Sequence, residues 1–324
     1  MTGTTCRPYR GPWELAGMAA ASARLRARLG LLDGVNLAAM EHRYAHLVNS
    51  DPLEDCLIAE RDGITVGYSR VEWHDLADGD RIYDSTTIVE PAAWGLGIAE
   101  AFLAWSEARL RVIAGTHARD RRCWFTAYAD EGDAESVGAL EGRGYEAVRW
   151  DAQMLRPDLA DLPTVAVPDG YAIRVPEEDE LPAVFEVMVT AFDEHWGEYD
   201  AGDQRFDDWA GDPRFRRDLI VVAWQGDAPV ACLSNFLEPA PDGTIRGYLE
   251  SLATRPDHRR RGLGRAAMAE SLRRLREAGA AGAWLGVDMD NRNQALTLYE
   301  ACGFHVVTLS ANYRRPFEPE EDAR

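Results

Sequence analysis

No stretch of 18 or more apolar residues occurs in this 324-residue chain, which excludes a membrane-crossing helix. The short apolar run from residue 15 to 23 follows Glu14 and precedes Arg24, Arg26 and Arg28. It reads as an amphipathic helix rather than a secretory leader. Cysteine is sparse. The five residues Cys6, Cys56, Cys123, Cys232 and Cys302 are scattered, odd in number and without a CxxC pair. That pattern argues against a zinc site and predicts reduced thiols in a cytoplasm, each packed in the core. Bases are outnumbered, 35 against 55 acids, for a net charge of −20. Such a chain is disfavoured on nucleic acid and on an anionic membrane, and it attracts cationic ligands. Two phosphate-binding patterns are also missing. There is no GxxxxGK[ST], and no GxGxxG, because Gly262 and Gly264 are followed by Arg265, Ala266 and Ala267.

What is present is a strand, a turn and a helix between residues 248 and 271. YLESLAT is apolar and β-rich, and Pro256 ends it. Arg259, Arg260, Arg261, Gly262, Leu263 and Gly264 form the turn. AAMAESLRRLREA then carries Ala, Met and Leu at helical spacing. A helix that opens on glycines points free N–H groups and a positive dipole end outward, so it is an anion site, which the three arginines reinforce. Downstream, WLGVDMDNRNQALTLYEACGFHVV reads as strand, Asn-rich loop, short helix, Gly turn and strand.

The chain also repeats itself at long period. VEPAAWGLGIAEAFL (residues 89–103) matches TRPDHRRRGLGRAAM (254–268): Pro91 with Pro256, Gly97 with Gly262 and Ala99 with Gly264, each pair 165 residues apart. At the same offset RIYDSTTIVEP aligns with RGYLESLATRP, and Tyr83 stands opposite Tyr248. GRGYEAV (142–148) resembles ACGFHVV (301–307). The first half is expected to hold helices over 12–29 and 37–49, a hairpin turning at Asp62-Gly63, a strand after Asp78-Gly79, a helix over 98–113, and strands over 123–129 and from Tyr145. Residues 156–170, with three prolines, form the expected linker. The second half opens with strand YAIRV and a helix over 177–192. A hairpin at Gly226-Asp227 and a turn at Asp242-Gly243 follow. The stretch up to about Pro213 is expected to be irregular.

The spacing Arg-x-x-Gly-x-Gly, from Arg259 to Gly264, followed by Asn291, Ala295, Leu298, Tyr299, Gly303 and Phe304, resembles the acyl-coenzyme A signature of the GNAT acetyltransferase superfamily. The resemblance covers nearly the whole chain and implies an α/β fold with mixed sheets: two tandem GNAT acyl-CoA N-acyltransferase domains, residues 1–157 and 158–324. It implies acetyl-CoA as co-substrate, held where two parallel strands splay. The pantetheine would lie along the main chain of Leu252, Ala253 and Thr254. The diphosphate would sit on the amides of Arg259, Arg260, Arg261, Gly262, Leu263, Gly264 and Arg265. An acceptor amine attacks directly, with no metal.

Tyr299 matches the family's general acid. Asn291 matches a coenzyme-contacting Asn, although it stands eight residues before Tyr299 where many members have seven. Glu250 is the candidate base. Many members place that carboxylate six residues before the Thr254 position, which is Tyr248 here, whereas others have it four before, as Glu250 is. On a regular strand 248 and 250 share a face, and a bulge between them would undo that. Glu250 paired with Arg246 is the alternative. Asp288 is a second candidate base, or a cap for the next loop. His195 and Trp196 are candidates to line an acceptor pocket, or simply to pack.

The first half lacks these groups. Trp94 stands at Arg259, Gly95 and Leu96 at Arg260 and Arg261, Ser85 at Glu250 and Leu140 at Tyr299. It is expected to be a degenerate partner, with coenzyme binding left open by Gly97 and its helix N-terminus. The expected activity is N-acetylation of a primary amine on a small molecule. Alternatives are a non-catalytic acyl-CoA-binding protein and a peptide N-terminal acetyltransferase. The chain would act as a monomer or homodimer.

Overall fold

Turn chemistry fixes where the strands reverse. The computed structural model describes residues 3–192, 204–240, 242–290 and 295–317. In chain order the elements are β1 (Thr4–Pro8), α1 (Leu15–Leu29), α2 (Leu37–Ala45), α3 (Pro52–Asp55), β2 (Cys56–Arg61), β3 (Ile64–Asp75), β4 (Arg81–Val89), α4 (Ile98–Ala114), β5 (Cys123–Asp130), α5 (Ala134–Gly142) and β6 (Glu146–Arg156). After the linker come β7 (Ala172–Arg174), α6 (Leu181–Phe192), α7 (Gln204–Gly211), β8 (Val221–Gln225), β9 (Ala228–Pro239), β10 (Ile245–Thr254), α8 (Leu263–Glu277), β11 (Gly282–Asp288), α9 (Ala295–Ala301) and β12 (His305–Pro316). Left-handed Asp62 (φ 52°) and Gly63 (φ 79°) close the β2–β3 hairpin, and Gly226 (φ 59°) closes β8–β9.

Two compact units result. The described parts of Met1–Leu31, Val35–Asp151 and Thr308–Arg324 form the first, and Leu32–Gly34 with Ala152–Val307 form the second. The first unit orders its strands β1-β2-β3-β4-β5-β12, and the second β6-β11-β10-β9-β8-β7. In each, one neighbouring pair is parallel: β4 with β5, and β10 with β11. Membership departs from a division after residue 157: residues 308–316 of β12 fall with the first unit, antiparallel to β5, while residues 32–34 and 152–157 fall with the second.

Equivalent arginines secure these crossed strands. In the first unit Arg315 of β12 donates to the Arg143 carbonyl at 2.8 Å and pairs with the buried carboxylate of Glu107 at 2.8 Å. In the second unit Arg156 of β6 donates to the Cys302 carbonyl. Arg143 and Cys302 each precede the left-handed glycine of a turn, Gly144 (φ 79°) and Gly303 (φ 85°).

Each sheet is covered on both faces. In the second unit α6 packs Leu181, Val184, Val187 and Met188 against Val222, Trp224, Cys232 and Ala253. On the opposite face Leu263 of α8 meets Ala223, Val230 and Ala231. Helix α8 lies so close to β10 that a Cβ on Gly247 would come within 2.4 Å of Leu275. In the first unit α4 supplies Phe102, Leu103 and Leu110 to a core with Tyr83, Phe125 and Leu140.

Three expectations change. The stretch before Pro213 is not irregular throughout: α7 forms there because Phe206 and Trp209, at helical spacing, pack on Phe185. Helix α5 follows β5 in the first half, where none was singled out. The thiols are all free, but only Cys56, Cys232 and Cys302 are buried; Cys6 is exposed and Cys123 half-buried. Among the described residues no helix is long and apolar enough to cross a membrane.

Candidate active site

Strand β10 decides which residues meet. Its register with β11 runs from Arg246↔Gly282 to Leu249↔Leu285 and goes no further, although β10 continues to Thr254. Beyond Leu249 that edge of the main chain is released, while the other edge stays paired with β9 through Leu252↔Leu233, Ala253↔Cys232 and Thr254↔Ala231. The register with β9 slips at the same place: Leu249 faces Asn235 and Ser251 faces Ser234, so Glu250 is the extra residue of a β-bulge.

The bulge resets the pleat. Before it, Gly247 lies against α8; after it, Leu252 does, 3.7 Å from a Cβ built on Gly264. Tyr248 points away from α8 and stacks on Trp284, centroids 4.2 Å apart. The face that Glu250 would share with Tyr248 on a regular strand is therefore not fixed by alternation, which corrects the parity expectation. Arg246, the alternative partner, pairs with Asp242. Asp288 accepts the Asp290 amide at 3.0 Å, so it caps the turn after β11.

The arginine turn follows directly. Pro256–His258 makes one 3-10 turn, Gly262 (φ 85°) is the N-cap of α8, and among the described residues no side chain caps the helix. Its first N–H groups therefore lack a side-chain partner, at the positive end of the helix dipole. Arg260 holds a left-handed conformation (φ 62°), which costs a non-glycine residue about 1–2 kcal/mol. Arg260, Arg261, Gly262 and Arg265 are exposed, Leu263 is buried, and the Arg259 Nε donates to the Thr254 carbonyl at 3.1 Å. Gly262 is needed for its φ. Gly264 is not, since an added methyl meets only Leu298 and Leu252 at 3.6 and 3.7 Å, and the first half has Ala99 there.

Those contacts also bring α9 to the turn. Tyr299, beside Leu298, is half-buried by surface, with its ring edge-on to Phe304. Burial of the hydroxyl, with the Cys302 thiol adding to the effect, pushes its pKa up to about 12. Among the described residues nothing hydrogen-bonds that hydroxyl. The structure thus gathers Leu252, Ala253, Thr254, Arg259, Arg260, Arg261, Gly262, Leu263, Gly264 and Arg265 around the end of β10 and the start of α8, and α9 reaches them through Leu298, next to Tyr299. Asn291, Arg292, Asn293, His195 and Trp196 lie outside the described residues.

The first unit has the same backbone and different chemistry. Gly97 (φ 73°) is the uncapped N-cap of α4, and Gly95 (φ 74°) has the conformation of Arg260. The Trp94 Nε1 donates to the Val89 carbonyl at 3.1 Å, as Arg259 does to Thr254. The Gly95 amide donates to the Glu135 carboxylate at 2.9 Å. Strands β4 and β5 also part, after Ser85↔Ala127, but β3–β4 pairing is unbroken from Gly67↔Val89 to Asp75↔Arg81, with no bulge. A small cavity remains there, lined by Ser85, Thr87, Ala127 and Leu140 among others. Glu135 on the turn was not foreseen, because it comes from α5, 40 residues from Gly95.

Comparison with known proteins agrees with this geometry. Residues 181–304 match the acetyltransferase (GNAT) family. The chain is 31% identical over 311 residues to a protein named mycothiol acetyltransferase from Geodermatophilus obscurus, covering 93% of this chain and 94% of that one. Among solved structures, a GCN5-related N-acetyltransferase from Sphaerobacter thermophilus superposes with a TM-score of 0.75 at 19% identity, over 97% of this chain and 95% of that one. A tandem GNAT protein from the clavulanic acid biosynthesis pathway gives a TM-score of 0.69 at 16% identity, over 99% and 100%. An uncapped helix start beside splayed parallel strands, present in both halves and matched along nearly the full length, has one reading: this chain belongs to the GNAT family of acetyltransferases.

Proposed function

We propose that the second unit transfers an acetyl group from acetyl-CoA to the primary amine of a small molecule, in a ternary complex, and that the first unit is a non-catalytic partner. The observation carrying this reading is the release of β10 from β11 beside the uncapped, arginine-rich start of α8. The residues fit the co-substrate. An open helix N-terminus with exposed Arg260, Arg261 and Arg265 suits a diphosphate. The freed edge of residues 252–254 suits the amides of pantetheine, as an added strand would.

Acetyl-CoA supplies an activated thioester; the chain supplies position and protons. Tyr299, protonated at neutral pH, donates its hydroxyl proton to the leaving sulfur. Glu250, lifted out of the regular pleat by the bulge, accepts the proton that the acceptor ammonium must lose, directly or through water. The relatives' name makes a mycothiol-type small molecule the first acceptor to test, and peptides the second.

Calorimetry with acetyl-CoA and product mass across small amines and peptides test the reading. The chain contains no lysine, so no side-chain amine of its own competes for label. Arg259→Glu is expected to weaken acetyl-CoA binding about tenfold or more, while Trp94→Phe leaves it unchanged. Absence of any coenzyme binding overturns the proposal, and binding without transfer to any amine overturns its catalytic half.

A further inference from the structure

The arginine turn is fastened from outside by the end of the linker. Tyr171 immediately precedes β7. Its hydroxyl oxygen accepts from an Arg261 guanidinium N–H at 3.0 Å and lies 3.0 Å from His258 Nδ1. His258 Nε2 is 3.3 Å from the Asp257 carboxylate. With Nδ1 as acceptor, Tyr171 O–H donates to His258 and Arg261 donates to the Tyr171 oxygen, while Nε2 faces the Asp257 carboxylate. A second Arg261 nitrogen donates to the Asp257 carbonyl at 2.9 Å. His258 is buried beneath the turn with the Tyr171 ring edge-on to it, and Pro168 of the linker lies beside Gly262.

The first half has nothing comparable. At the 165-residue offset Ala93 stands for His258 and Leu96 for Arg261. A buried imidazole and a linker tyrosine thus hold one exposed arginine, whose free side chain would otherwise sample many rotamers. We propose that Tyr171 and His258 are positioning residues that pre-set Arg261 for the diphosphate of the co-substrate, an inference that rests on the function proposed above. Neither residue touches the reacting atoms. Their effect is to remove the ordering cost that Arg261 would otherwise meet on binding.

Calorimetry with coenzyme A on the full chain tests this. Tyr171→Phe keeps the ring and removes the hydroxyl, and is expected to raise Kd about tenfold, as is Arg261→Gln. The double variant is expected to be no weaker than either single one, because both break one unit. His258→Asn gives an independent second variant with the same direction of effect. Wild-type affinity in Tyr171→Phe, or losses that add in the double variant, overturns the inference while leaving the functional reading intact. Failure of the wild-type chain to bind coenzyme A removes both.

Discussion

The two glycine turns trace the same backbone with different side chains. Val89 and Thr254 offer their carbonyls at the same place, and an indole N–H takes one while a guanidinium N–H takes the other, both at 3.1 Å. Gly95 and Arg260 share the left-handed conformation, so the second unit carries a strained cation where the first has a relaxed glycine. Behind the first turn an internal carboxylate, Glu135, already occupies an amide. The lesson is that the fold of an anion site persists without its chemistry. Trp94 replaces the arginine that shapes the turn, and Glu135 puts negative charge where a phosphate would have to come.

The sharpest test of that contrast changes the equivalent residues of α9 and α5. Tyr299→Phe is expected to lower kcat about 100-fold. Leu140→Ala in the first unit should leave kcat unchanged and cost about 2–5 kcal/mol of stability, read by urea unfolding. The pH profile sharpens it further. The folded pKa of Tyr299, about 12, lies above its ordinary value of 10.0. Preference for its protonated form is therefore complete below pH 10 and lost as pH rises through 12. Any alkaline fall in kcat below pH 10 comes from another group and should survive in Tyr299→Phe.

A smaller effect separates the crossed strands. Arg315→Ala deprives buried Glu107 of one of its arginines and is expected to cost about 3 kcal/mol. Arg156→Ala loses hydrogen bonds to the carbonyls of Asp158, Cys302 and Asp161 and, among the described residues, no carboxylate pair, so about 1–2 kcal/mol is expected. Equal losses in thermal or urea unfolding would show that the ion pair adds nothing. The smallest effect concerns stoichiometry. Calorimetry should find one coenzyme site in the wild-type chain and a weak second one in Glu135→Ala. Two sites in the wild type would break the comparison between the turns.

Much of this was legible in the sequence because it is local. Asp62-Gly63, Gly97 and Gly262 announce backbone conformations that follow from steric rules, and the offset of 165 residues exposes the repeat. Glu250 could be singled out as a carboxylate on β10, but its place on that strand could not be read. A bulge depends on how β9 pairs, and β9 lies in a different stretch of chain. Helix α7 was hidden because its apolar residues have a partner only once Phe185 is brought to them.

By itself the sequence determined the two turns, the helices that open on them and the loss of polar groups in the first half. These depend on neighbours along the chain and on the identity of single side chains. Only the tertiary structure decided that β10 breaks from β11 after Leu249, that Glu135 fills the first turn and that β12 completes the first unit. Each of these joins residues far apart in the chain, and pairing between distant segments is settled by packing and register rather than by local propensity.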